Sequence, residues 1–237
     1  MNPDLSVLII AAVSIAFFHT LFGPDHYLPF IVMAQSGKWS LRKTSLVTVL
    51  CGVGHVMSSI VLGIIGIALG VAVFKLEVIE GFRGDLAAWV LIAFGLVYFI
   101  WGLQRALRNK PHQHIHNHQH GVCHSHTHVH NTEHAHVHES GTEKKITPWI
   151  LFTIFVLGPC EPLIPLLMYP AAKNNTFDLL LVVTTFSIVT ISTMVSIVLI
   201  STFGISFIPM KYFERYIHAV SGATVFLSGL AIQLFGL

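Results

Sequence analysis

The stretch "HTLFGPDHYLPF" (residues 19–30) sits where an apolar chain has little reason to be polar. It follows "LSVLIIAAVSIAFF" (5–18) and precedes "IVMA" (31–34), so the surrounding run is long and greasy enough to cross a bilayer. Pro24 removes a backbone donor and breaks a helix, and Gly23 beside it deepens the break. Asp25 and His26 follow at once. A carboxylate at the centre of a bilayer costs about 2.5–3.5 kcal/mol on insertion scales, so its presence there asks for a function.

The whole chain supports that frame. Of 237 residues, 54% are hydrophobic and 10% charged, with mean hydropathy +0.73, against about 25% charged residues in soluble domains. Lipid is the expected surrounding. A net charge of +2 leaves no footprint for nucleic acid. Cys51, Cys123 and Cys160 follow no disulfide framework. The first apolar run lacks a basic leader region and is expected to be retained as a span.

Apolar runs of about 20 residues predict six spans, at 5–34, 44–74, 87–107, 147–170, 178–204 and 212–236. The first and fourth contain Gly-Pro and are expected to be broken at Gly23, Pro24, Gly158, Pro159 and Pro162. Lys38, Arg42, Lys43, Arg105, Arg108, Lys110, Lys144, Lys145, Lys211 and Arg215 fall in the odd-numbered loops, whereas only Lys75, Arg83 and Lys173 fall in the even-numbered ones. That bias predicts an inner-membrane protein with both termini outside and residues 108–146 in the cytoplasm.

Spans one and four align as "FGPDHYLPFIVM" (22–33) over "LGPCEPLIPLLM" (157–168). Asp25 then falls on Cys160 and His26 on Glu161. "HVMSSIVL" (55–62) lies over "STMVSIVL" (192–199), and Gly95, Phe99, Gly102 and Leu103 lie over Gly222, Phe226, Gly229 and Leu230. Three spans is an odd number, so the second unit must be inverted. The expected fold is an all-α polytopic membrane protein of six transmembrane helices in two inverted three-helix repeats, 1–107 and 147–237. The polar loop 108–146 joins them, and interrupted helices meet near the midplane.

Of the eleven acids, Asp25 and Glu161 alone are read as lying within spans, and no Lys or Arg is. His19 lies two helical turns from His26, and His55 sits among small residues in the second span. Cys160, in "GPCEP", is a candidate soft ligand. His19, Asp25, His26, His55, Cys160 and Glu161 are therefore the candidate metal ligands, a donor set suited to Ni, Co or Zn. The loop carries His112, His114, His116, His118, His120, His124, His126, His128, His130, His134, His136 and His138. It is expected to be disordered and metal-binding, since a strand would need a partner face and the intervening residues are mostly polar.

His19, "GPDH" (23–26), His55, the histidine-rich loop and "GPCEP" (158–162) together resemble the NicO-type nickel/cobalt transporters, the resistance exporters and the urease-accessory permeases. The resemblance spans the chain and implies that His19, Asp25, His26 and His55 line a metal path. The permease-type relatives read His-x4-Asp-His where this chain reads His-x5-Asp-His. The expected protein is not an enzyme. It carries divalent transition metals, Ni2+ or Co2+ first and Zn2+ among the others, as an exporter exchanging metal for protons, or alternatively as a nickel uptake permease. No cofactor is expected to stay bound. The same broken-helix plan also resembles the membrane carriers of cytochrome c biogenesis. That alternative needs a thiol in each repeat, and the first repeat offers Asp25. Export of an oxyanion would want basic residues inside the spans.

Overall fold

The computed structural model describes residues 3–108, 112–117, 123–128, 143–173, 175–206 and 214–235. Helix α1 (Pro3–Phe22) ends at the first Gly-Pro, a 3-10 turn spans Pro24–His26, and α2 (Leu28–Ser36) completes the run. Helices α3 (Leu41–Ala68) and α4 (Val73–Arg108) follow. The second interrupted run is α5 (Glu143–Leu157), a break over residues 158–162, and α6 (Leu163–Ala172). Helix α7 (Thr176–Ser206) and, after a 3-10 turn at Glu214–Tyr216, α8 (Ile217–Phe235) close the chain.

Five helices among the described residues are long and apolar enough to cross a membrane: α1, α3, α4, α7 and α8. The run expected as the fourth span is divided between α5 and α6, and neither half is long enough alone. Many large apolar side chains point outward, among them Ile10, Leu50, Val97, Ile188 and Ile200. In water they would be a liability; in lipid they are the normal exterior.

The largest departure from the sequence concerns α4. It begins at Val73, so the stretch expected as a loop between 74 and 87 is helical and the true connection is only residues 69–72. Glu77, Glu80, Arg83 and Asp85 therefore lie in a helix. Glu80 is fully buried and paired with Arg83, which overturns the expectation that Asp25 and Glu161 are the only acids within the helices and that no basic residue is. Lys75, Glu77, Glu80, Arg83 and Asp85, spread through the first turns, depress local hydropathy, and that concealed the helix.

Helices α4 and α8 pack backbone to backbone. A Cβ added at Gly95 would meet the Phe226 nitrogen at 2.3 Å, and one added at Gly222 would meet the Phe99 nitrogen at 2.2 Å. The same exchange recurs nearby: Gly102 lies against Ala219, and Gly229 against Ile92. These are the glycines that align between the third and sixth spans, and their contacts are reciprocal. Small residues let helices approach this closely where lipid offers no hydrophobic drive for association.

Outside the helical body, His112–Asn117 (β1) pairs antiparallel with Cys123–His128 (β2), His112 opposite His128, His114 opposite His126 and His116 opposite His124. The partner that a strand in this segment would need is thus the other half of the segment itself. His118, His120, His130, His134, His136 and His138 lie outside the described residues.

The α4–α8 contact makes a direct prediction. Gly95→Leu or Gly222→Leu forces the two backbones apart, and overpacking of this kind costs about 1–3 kcal/mol or more. Either variant should lower the yield of monodisperse protein in detergent and its melting temperature. Gly204→Leu, with nothing within 4 Å of its Cβ position, should leave both unchanged.

Candidate metal-ion site

Helix α1 ends because Pro24 cannot donate and Gly23 adopts an extended conformation (φ −84°, ψ 95°). The Gly23 N–H still donates to the His19 carbonyl at 3.0 Å, closing the last turn. The chain then tightens: the His26 N–H donates to the Gly23 carbonyl at 3.1 Å. This turn folds the His26 ring back against α1. A Cβ at Gly23 would meet His26 Nδ1 at 2.4 Å, so glycine is required here by the closeness of the ring and not by its own φ.

The His19 and His26 rings lie with centroids 4.8 Å apart, and the His26 and His55 rings 5.0 Å apart, both nearly perpendicular. One ligand atom from each of the three histidines lies within 4.8 Å of the others. Three nitrogens bound tetrahedrally to one ion at about 2.1 Å stand about 3.4 Å apart, so the set needs only a modest contraction to close on an ion.

The hydrogen bonds indicate which atoms are available. His26 Nδ1 faces two acceptors, the Gly23 carbonyl and Asp25 Oδ1, each at 3.2 Å, so Nδ1 carries the proton. His55 Nδ1 faces the Phe155 carbonyl at 3.3 Å and donates likewise. The Nε2 atoms of His19, His26 and His55 are all buried and have no hydrogen-bond partner among the described residues. Buried polar atoms rarely stay unpaired, and imidazoles whose other nitrogen is held by a carboxylate or carbonyl are the usual form of a metal-binding histidine.

A cavity of about 770 Å³ adjoins the cluster, between Ile15, Phe18 and Phe22 of α1 and Gly81, Gly84 and Leu91 of α4. Asp25 faces it beside the histidines; Glu161 and Asp85 face it from across the space. The sequence-derived candidates therefore separate. His19, His26 and His55 form one group with Asp25 at its edge. Glu161 is exposed and lies outside the three-histidine group. The Cys160 side chain is fully buried in an apolar cluster with Val56, Leu163 and Phe186, and it does not line the cavity. Only its backbone N–H makes polar contacts, with Ser59 Oγ at 3.0 Å and Glu80 Oε2 at 3.3 Å.

Glu80 and Arg83 are the residues sequence reasoning missed. Arg83 donates to Glu80, to Ser58 Oγ at 2.7 Å and to the Val156 carbonyl at 2.9 Å. Their spacing of three residues, with Ser58 and Ser59 in the preceding span, was the available signal.

Residues 29–231 match the family model described as cytochrome c biogenesis protein transmembrane region. The chain belongs to that family. No curated protein and no solved structure matches it. The family match overturns the resemblance to the NicO-type nickel/cobalt transporters and favours the alternative, the membrane proteins of cytochrome c biogenesis. It lends no support to nickel, cobalt or efflux. The features that carried the resemblance were a few histidines and two Gly-Pro turns, and His19 and "GPDH" precede the matched residues. Broken helices at a midplane belong to several membrane plans, so they did not discriminate.

Thiol chemistry has specific geometric needs. Cys160 N lies beside Ser59, eight residues along α3 from Cys51, so the two cysteines are separated by about 12 Å along that helix. Disulfide formation wants Cα atoms within about 7 Å. Both cysteines are free and buried. Mild oxidation of the purified Cys123→Ser variant should therefore produce no intramolecular disulfide, and a maleimide should label neither Cys51 nor Cys160 until the protein is unfolded. A Cys51–Cys160 crosslink seen by mass spectrometry would contradict this arrangement.

Proposed function

We propose that this member of the cytochrome c biogenesis transmembrane family is a carrier whose inner site handles a divalent transition-metal ion instead of a disulfide. One observation carries the proposal: His19, His26 and His55 each bring a ring nitrogen to within 4.8 Å of the others, their Nε2 atoms are buried without a partner among the described residues, and Asp25 lies beside them. An all-imidazole set with one carboxylate suits Ni, Co or Zn better than Mg or Ca. The ion is cargo, and the protein catalyses no reaction. The two broken helices belong to two inverted halves, a reading supported by the reciprocal glycine contacts of α4 and α8. The histidine-rich segment collects metal on the cytoplasmic side, and movement is outward, exchanged for protons.

Family membership favours a second reading, in which the chain passes electrons through thiols. That reading lacks a paired cysteine at the first break, where Asp25 stands.

The two separate in one set of measurements. Purified protein titrated with Co2+ should bind one ion at the membrane site once residues 112–138 are deleted, and His26→Ala or His55→Ala should abolish that binding. Imidazoles must shed protons to bind, so affinity should rise with pH and fall as the histidines protonate. In proteoliposomes loaded with metal, a proton gradient should drive metal toward the acidic side. Absence of Co2+ binding, together with a mixed disulfide formed when Cys51 or Cys160 attacks a disulfide-bearing partner and releases that partner's other sulfur as a thiol, would establish the thiol reading.

A further inference from the structure

Arg83 touches both elements that hold His55. On one side it donates to Ser58 Oγ at 2.7 Å, and Ser58 Oγ in turn donates to the His55 carbonyl at 2.7 Å, within α3. On the other it donates to the Val156 carbonyl at 2.9 Å and reaches the Gly158 carbonyl at 3.5 Å, both at the frayed end of α5. Between these anchors lies the Phe155 carbonyl, the acceptor that holds His55 Nδ1. Gly158 closes the arrangement from the far side, where a Cβ would meet His55 Nδ1 at 3.4 Å.

Glu80 completes the clip. Its side chain is fully buried, while that of Arg83 is 18% exposed. One carboxylate oxygen takes Arg83; the other takes Ser59 Oγ at 3.1 Å and the Cys160 N–H at 3.3 Å. A buried carboxylate with a guanidinium, a hydroxyl and a backbone amide is fully partnered, so the pair is a fixed structural unit. It ties α4 to α3 and to the start and the middle of the second break.

We infer that Arg83 and Glu80 are positioning residues of the three-histidine site. Through Ser58 and the 156–158 carbonyls they fix the distance between α3 and the end of α5, and so the His55–Phe155 hydrogen bond that leaves His55 Nε2 free to bind. The inference rests on the metal-carrier reading for its consequence, but its geometric core does not need the ion. Outer partners of this kind typically change metal affinity by about 10–100-fold when removed.

Two readouts on the full-length protein in detergent test it. First, 15N NMR of the histidine side chains without metal should show His55 as the Nδ1–H tautomer. Arg83→Ala should move its nitrogen shifts toward tautomer exchange, and Arg83→Lys should restore them in part. Second, Co2+ titration, read on the part of the visible absorption band that His26→Ala removes and the histidine-rich segment therefore does not supply, should show affinity weakened about 10–100-fold in Arg83→Ala, with that band shifted. If Arg83→Ala does not fold, Ser58→Ala, which removes only the bridge to α3, decides by the same readouts with a smaller change of the same sign. Unchanged His55 shifts in a folded variant overturn the positioning role whatever the metal does. Absence of a His26-dependent Co2+ band in the wild type, with the tautomer shift still seen in the variant, overturns the metal reading and leaves the positioning role standing.

Discussion

A helix that breaks inside an apolar medium leaves backbone groups without partners, and everything distinctive in this protein follows from how two such breaks are satisfied. Lipid offers no hydrogen-bond partner, and each backbone group left unsatisfied against it costs several kcal/mol. The first break is repaired locally. A 3-10 turn and the Gly23 carbonyl, which accepts from both the His26 amide and its ring, absorb most of the deficit. The second break is repaired from outside, by Arg83 on the Val156 and Gly158 carbonyls and by Glu80 on the Cys160 amide. Histidine is a repair group at one break and is itself held by the repaired backbone of the other.

This difference explains why one half of the site was legible in the sequence and the other was not. His19, Asp25 and His26 announced themselves because ionisable residues near a Gly-Pro are costly to place in an apolar run. His55 was legible as the lone imidazole of the second span. Glu80 and Arg83 were not, because a stretch dense in charge reads as a loop when hydropathy is the guide. Charge that is paired internally lowers hydropathy as much as charge that is solvated. Cys160 failed for the opposite reason. Its alignment with Asp25 is a statement about backbone position, and at that position the backbone amide does the polar work while the thiol packs with Val56 and Leu163.

The fold shows the same division. Helix ends at Phe22 and Leu157 follow from Gly-Pro chemistry and could be read directly. The glycine alignment of the third and sixth spans was visible as a pattern, but only the structure reveals that Gly95 and Gly222 each receive the backbone of the other helix. Family membership rests on a match over residues 29–231, most of the chain, which single motifs cannot supply. The histidines led toward nickel and cobalt transporters because side-chain chemistry is easier to see in one sequence than architecture is.

The cavity and the packed core divide the molecule unevenly around the histidines. On one side Asp25, Asp85 and Glu161 face open space. On the other, Phe30, Met33, Cys51, Leu151 and Met194 form a closed apolar cluster in which the Phe30 and Phe155 rings stand 4.6 Å apart. Phe30 lies one turn beyond His26, and Phe155 supplies the carbonyl that holds His55. Parting these rings would therefore disturb the ligands on either side of the site. Truncating a buried phenylalanine costs about 3–5 kcal/mol and leaves a void. In Phe30→Ala that void opens in the apolar cluster that also holds Cys51, which is 1% exposed in the intact protein. A small maleimide should then label Cys51 in the folded variant, measured by mass spectrometry against a Cys123→Ser background, while the parent stays unlabelled. Equal resistance in both would mean that Phe30 does not seal this side, and that closure rests on the helices themselves.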